Sequence, residues 1–91
     1  MITIGILEKP SARQLLVSWR ETGRCNYTEQ LWILGKAPKA ATCALTDKSI
    51  RRGDPVYRPA GHPLNCDKVI LADSFHELLG FELMVLQGNT Q

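Results

Sequence analysis

Two successive runs at the start of the chain alternate apolar and polar residues with a period of two, and that pattern restricts the fold to one built on a sheet. Ile2, Ile4 and Ile6 alternate with Thr3 and Gly5 before Lys9-Pro10-Ser11. Successive side chains of a strand point to opposite faces, so this spacing describes a half-buried strand. Leu15, Val17 and Trp19 repeat the pattern within residues 15–20, and Glu21-Thr22-Gly23-Arg24 supplies the turn after them. The third run, Tyr27 to Leu34, differs in placing Leu31 and Ile33 on one face and Trp32 and Leu34 on the other. A strand apolar on both faces is expected in the middle of its sheet.

After Lys36-Ala37-Pro38-Lys39, a short strand over residues 40–45 leads into Cys43-Ala44-Leu45-Thr46-Asp47. This segment has the shape of a zinc-knuckle hairpin in which Thr46 stands where the second cysteine ligand would be. Val56 and Tyr57 read as the return arm, and Pro55 and Pro59, which cannot donate a ladder hydrogen bond, predict that this arm lies at a sheet edge. Beyond Pro63 the period changes. Asn65 is a good N-cap, Asp67 suits a first helical turn, and Leu71, Phe75, Leu78 and Leu79 recur at helical spacing before Gly80, which predicts a helix over about residues 66–79. The competing reading is a strand over Val69-Ile70-Leu71 followed by a shorter helix from Asp73. Phe81 to Leu86 reads as a last strand and 87–91 as a frayed tail. The expected fold is therefore α+β, an antiparallel twisted sheet of about five strands with one C-terminal helix across it and a protruding, knuckle-like basic β-hairpin.

A chain of 91 residues suffices for one domain, taken as residues 1–91. No apolar run approaches the roughly 20 residues that cross a bilayer. The start has no basic leader and only a short apolar run, so the expectation is a cytoplasmic protein without a membrane segment. Cys25, Cys43 and Cys66 form an odd set with no CxxC pair, which fits thiols in a reducing compartment better than a disulfide framework.

Charge is unevenly distributed. Residues 36–63 carry Lys36, Lys39, Lys48, Arg51, Arg52 and Arg58 against Asp47 and Asp54, whereas residues 64–91 carry Lys68 against Asp67, Asp73, Glu77 and Glu82. With Tyr57 interleaved, the six cations form the leading candidate site: a basic hairpin that contacts phosphates while the ring stacks on a base or sugar, or that meets an acidic protein surface. The plainer reading is a solvated edge whose charges keep strands from sticking to one another. The last strand, apolar on both faces through Phe81, Leu83, Met84, Val85 and Leu86, needs a helix or a second subunit to cover one side, which makes protein interaction or homodimerisation through that strand an alternative role. A third reading is a small cysteine-dependent enzyme or redox protein using Cys66, at the start of the predicted helix, with His62 four residues earlier. Neither an orienting third group nor an oxyanion-hole motif accompanies that pair. Trp19 and Trp32 are read as core, and His76 as a surface histidine. No catalytic residue, cofactor or metal site is assigned, and the expectation is a non-enzymatic binding or regulatory module.

Ser18-Trp19, Tyr27, Glu29-Gln30, Trp32, Gly35, Cys43-Ala44-Leu45-Thr46, Ile50-Arg51-Arg52-Gly53-Asp54 and Val56-Tyr57-Arg58-Pro59, within residues 17–72, resemble a small family of unknown function from Burkholderia-type proteobacteria. In that family the turn after the cysteine tends to be Ser-Gly; here it is Thr46-Asp47, and Asp tolerates a left-handed backbone better than most residues. The resemblance implies a one-domain bacterial protein and no particular activity. More distantly, knuckle, hairpin and helix in that order resemble a treble clef, with Cys43 and Cys66 each alone in places where that fold has ligand pairs. A structural zinc site takes four ligands, and Cys43, His62, Cys66 and the distant Cys25 are the only thiol and imidazole groups near those places; without supporting spacing, the resemblance implies a degenerate, metal-free version.

Overall fold

The computed structural model describes residues 1–72 and 82–85. Eight strands follow in chain order: β1 (Ile2–Ser11), β2 (Gln14–Glu21), β3 (Cys25–Lys36), β4 (Ala41–Thr42), β5 (Ser49–Ile50), β6 (Pro55–Pro59), β7 (Ile70–Leu71) and β8 (Glu82–Val85). Six of them form one antiparallel sheet in the order β7-β6-β3-β2-β1-β8, which curls into a half-barrel, while β4 and β5 form a separate two-stranded hairpin. β3 lies in the interior of the large sheet, where its two apolar faces placed it.

The alternation of the first two runs becomes the core. Ile2, Ile4 and Ile6 of β1 and Leu15, Val17 and Trp19 of β2 are all buried, and they meet Trp32, Val56, Tyr57 and Ile70 in one cluster. Full burial of such side chains contributes roughly 1.5–3 kcal/mol each. The Trp19 and Trp32 rings lie 5.7 Å apart at a tilt of 32°, a geometry that adds about 0.5–1.5 kcal/mol beyond the buried area. A bulge sets what else reaches this face. Val17 pairs with Gln30 but Trp19 pairs with Tyr27, so β3 carries one extra residue between them. Because side chains alternate, the extra residue turns Tyr27 and Cys25 to the core side, and both pack against the cluster.

Among the described residues there is no helix, and the α+β expectation gives way to an all-β sheet. Residues 66–72 of the expected helix form a turn and β7; residues 73–79 lie outside the described residues, as does the expected tail over 87–91. Asn65 does not act as a helix cap. Its fully buried amide pairs reciprocally with that of Gln30, Gln30 Nε2 donating to Asn65 Oδ1 at 2.9 Å and Asn65 Nδ2 donating to Gln30 Oε1 at 3.0 Å. Trp32 Nε1 donates to the same Gln30 oxygen at 3.0 Å. With the amide committed to the sheet, Val69-Ile70-Leu71 follows its β-branched preference and Ile70–Leu71 pair with Tyr57 and Val56, the competing reading of that segment.

β6 is therefore not an edge. It pairs with β3 along its whole length and with β7 over Val56 and Tyr57, so the prolines at its ends do not expose it. The knuckle segment closes on itself instead: Ala41 pairs with Ile50 and Thr42 with Ser49, Lys48 O accepts from Cys43 N at 2.8 Å, and Cys43 O accepts from Asp47 N at 2.9 Å. Asp47 sits at φ 67°, the left-handed region that its short polar side chain tolerates.

The Gln30–Asn65 pair has a measurable consequence. Asn65→Ala leaves a buried amide without its partner, and the expected loss is about 1–3 kcal/mol of unfolding free energy. Urea denaturation of the two proteins checks it, and a difference of a few tenths would mean that the pair is not anchoring the loop.

Candidate functional site

Two loops carry Lys39, Arg51 and Arg52, and backbone hydrogen bonds bind them together. Ala37 N donates to Asp54 O at 2.8 Å and Gly53 N donates to Ala37 O at 2.8 Å. The second loop is closed by Asp54 N donating to Arg51 O at 3.0 Å, by Arg51 N donating to Asp54 Oδ2 at 2.8 Å, and by Gly53 at φ 91°, where a side chain would be strained. Asp54 thus spends a carboxylate oxygen on holding the turn. Lys36, which pairs with Pro55, comes to the same end of the sheet as Arg51 and Arg52, and all three side chains are exposed. Lys39 and Arg58 line a neighbouring groove of about 200 Å³ with Pro38, Ala41, Cys66, Asp67 and Val69. Lys48 is exposed too, but it stands at the far end of β5 from Arg51, in the knuckle turn.

The chain's Lys and Arg residues divide into two sets. Lys9 donates to Ser11 O, Ala12 O and Tyr57 Oη; Arg13 donates to Leu34 O; Arg24 binds Glu21 and Leu64 O; Lys68 lies 3.8 Å from Asp67; and Arg20 also has a partner. None of the side chains of Lys36, Lys39, Lys48, Arg51, Arg52 and Arg58 forms an ion pair or hydrogen bond with the described residues.

Tyr57 does not belong with this second set. It is 2% exposed, and its hydroxyl lies 2.7 Å from Lys9 Nζ and 3.4 Å from Ala12 O. The ammonium is 5.3 Å from the ring centre; being so close to an oxygen that projects from the ring, it sits beyond the ring edge and not over its face. The ring is therefore packed in the core, and no face of it is presented for stacking. Its burial was hidden in the sequence because β6 looked like an edge.

The three thiols and the His62 imidazole are not gathered. Cys66 is exposed in a turn, its N–H donating to Pro63 O at 3.1 Å, and among the described residues no helix N-terminus stands behind it to stabilise a thiolate. His62 is exposed beside Gly61 and makes no hydrogen bond to Cys66. Cys43 is buried, and its Sγ accepts from Leu71 N at 3.3 Å, fastening the knuckle turn to β7. The Thr46 hydroxyl, at the place of the missing knuckle cysteine, is buried without a hydrogen-bond partner. Among the described residues no three His, Cys, Asp or Glu side chains converge as metal ligands.

A cleft of about 380 Å³ at the β2–β3 turn, lined in part by Glu21, Arg24 and Cys25, had no counterpart in the sequence reading beyond its turn residues. Glu21 accepts from Trp19 Nε1 at 3.1 Å and from Arg24 Nη1 at 3.1 Å, and Cys25 Sγ lies 3.8 Å away. Burial pushes the Glu21 carboxyl up, but the hydrogen bonds from Trp19 and Arg24, with the charges of Arg24 and Lys68, outweigh it and hold the group below its ordinary 4.5. Burial and the Glu21 charge raise the Cys25 thiol, the opposite of what a nucleophile needs. This cleft is a structural knot: Arg24 continues through Nη2 to Leu64 O at 2.7 Å, and Tyr27 Oη accepts from Leu64 N at 3.1 Å, tying the turn to the loop that holds Asn65.

Taken together, the described residues and their surface define a small antiparallel β-sheet domain that presents paired cationic loops. The chain belongs to the DUF3331 family, a domain of unknown function, which matches residues 1–77 and so spans both loops. No curated protein and no solved structure matches it. No helix among the described residues is long and apolar enough to cross a membrane.

The lowered Glu21 carboxyl gives a pH prediction. A depressed folded-state value contributes stability that is complete above 4.5 and is lost as pH falls through the folded value. Glu21→Gln keeps an acceptor for Trp19 but cannot titrate, so its unfolding free energy should decline less steeply than that of the wild type below pH 4.5. Denaturation curves at a series of acidic pH values decide this; identical acid limbs would contradict it.

Proposed function

We propose that the chain is a non-enzymatic binding module that contacts an anionic partner, nucleic acid phosphates or an acidic protein surface, through Lys36, Lys39, Lys48, Arg51, Arg52 and Arg58. The observation that carries this reading is the division of the cations. Every Lys and Arg side chain outside residues 36–58 has an intramolecular partner, and the six within that stretch have none among the described residues. A cation held on a short, hydrogen-bonded loop loses little conformational freedom on binding, which lowers the cost of contact. Removing Tyr57 from the set shifts the reading from base stacking toward charge contact alone, which is less selective for sequence.

The cysteine-dependent alternative has less support, because among the described residues Cys66 is in a turn without a helix behind it and His62 does not engage it.

On a polyanion matrix and in mobility-shift titrations with single- and double-stranded oligonucleotides, the wild-type protein is expected to bind in a salt-dependent way. Changing Arg51 and Arg52 to Glu should abolish retention at low salt, and each lost phosphate contact should reduce the slope of log affinity against log salt by about 0.7–0.9. Tyr57→Phe should leave the slope unchanged. Retention on the matrix without an oligonucleotide shift points to an acidic protein, and a wild-type protein that binds neither at low salt removes the proposal.

A further inference from the structure

The groove of about 200 Å³ beside Arg58 is built by three separated segments: the lead into the knuckle hairpin, β6, and the turn before β7. Pro38, Ala41 and Val69 give it an apolar lining, and Lys39 and Arg58 bring two cations to it. Neither cation has an ion pair or hydrogen bond with the described residues. The register explains how Arg58 reaches this place. Arg58 follows Tyr57, whose ring is buried, so alternation sends its side chain to the opposite face of β6. Its ladder partner Ile33 shares that face and is 37% exposed, which leaves an apolar side chain in the open on the next strand.

A purely cationic patch suits any anion, but this groove is apolar and cationic and also carries the carboxylate of Asp67. The Asp67 oxygens lie 3.9 Å from Arg24 Nη2 and 3.8 Å from Lys68 Nζ. Those cations offset its charge at distances too long for hydrogen bonds, so its acceptors remain open. Such a mixture discriminates between classes of partner. Phosphodiester groups offer only acceptors, so a nucleic acid backbone meets Asp67 without a donor and leaves the apolar lining uncovered. None of the described residues that line the groove is aromatic, so a base finds no ring to stack on. A peptide supplies all three complements: a carboxylate for Lys39 and Arg58, an apolar side chain for Pro38, Ala41 and Val69, and a backbone N–H for Asp67.

We infer that the groove receives a short acidic segment of a partner protein, with one apolar side chain seated against Pro38, Ala41 and Val69 and a neighbouring carboxylate paired with Lys39 and Arg58. This occupant presupposes that the cations of residues 36–58 form an anion-binding surface, and it makes protein the partner at the groove.

The test selects short random peptides, displayed on phage, against the immobilised full-length wild type. Enriched sequences are expected to combine an apolar residue with adjacent Asp or Glu. A synthetic peptide of the enriched sequence should protect Cys66, which lines the groove, from alkylation by iodoacetamide and leave the rate at Cys25 unchanged. Lys39→Glu and Arg58→Glu, both at exposed positions, should each weaken its binding about tenfold or more. Replacing the peptide's apolar residue by Ser should do the same. Arg51→Glu with Arg52→Glu should leave Cys66 protected at saturating peptide, because neither arginine lines the groove. The inference is overturned if no acidic sequence is enriched, if the peptide binds without protecting Cys66, or if a single-stranded oligonucleotide protects Cys66 as well as the peptide does. Any of these results, found together with salt-dependent binding through Arg51 and Arg52, leaves the wider anion-binding reading intact. A protein that binds neither peptide nor polyanion at low salt removes both.

Discussion

A curled antiparallel sheet with one buried face has to be covered, and among the described residues of this chain irregular segments do the covering. Everything else in the structure answers to that constraint. Irregular backbone carries polar groups with no ladder to join, and each one buried without a partner costs about as much as a lost hydrogen bond. The chain meets this cost at a few fixed points. Ala44 N donates to Val69 O at 2.8 Å, Leu71 N to the Cys43 thiol, and the Asn65 amide closes a two-way bond with Gln30 on the central strand. Knuckle turn, loop and sheet are thereby held in one arrangement, and Cys43, Ala44, Leu45 and Ile50 can complete the core over the two tryptophans.

The cationic loops follow from the same economy. Ala37 is buried, and its amide and carbonyl are both spent on the Gly53-Asp54 turn. With the backbone satisfied internally, the Asp54 carboxylate faces the Arg51 amide and forms no ion pair with the Arg51 or Arg52 side chain. Other basic residues are treated otherwise. Lys9 bridges three oxygens and Arg24 links a glutamate to a distant carbonyl, so they join segments of the chain. One protein thus uses the same residue types as internal fasteners and as outward charges, and the difference lies in whether an acceptor was built within reach.

Much of the sheet was legible in the sequence because period two is a property of the strand itself. Ile2, Ile4, Ile6, Leu15, Val17 and Trp19 announced their face without reference to any distant residue. The left-handed turn at Asp47 was legible for the same reason, since it depends on the local tolerance of one side chain. What could not be read were the long-range pairings. Asn65 looks like a helix cap until Gln30, on another strand, takes its amide; the apparent helical spacing beyond it then yields to the β-branched preference of Val69 and Ile70. Pro55 and Pro59 predict an edge only if nothing pairs on the far side of β6, and β7 does. The misplacement of Tyr57 in the candidate site descends from that one error.

The six cations of residues 36–58 were identified by charge clustering, but clustering alone does not separate a binding surface from an ordinary solvated one. The structure sharpens the question through the acids. Asp54 is occupied by a backbone amide, Asp67 lies 3.9 Å from Arg24 and 3.8 Å from Lys68, and Glu21 is enclosed by Trp19 and Arg24. Glu21 and Asp67 are drawn toward the β2–β3 turn and its loop, away from Lys36, Arg51 and Arg52, whereas Asp54 stays in the Arg51–Asp54 turn and pairs with neither arginine side chain. Asp54 lowers the field there by its own charge, but the three cations at that end of the sheet outnumber it, and the field left attracts anions from solution over about a Debye length. The knot at Glu21 and the bareness of the basic loops are for this reason two sides of one distribution of charge.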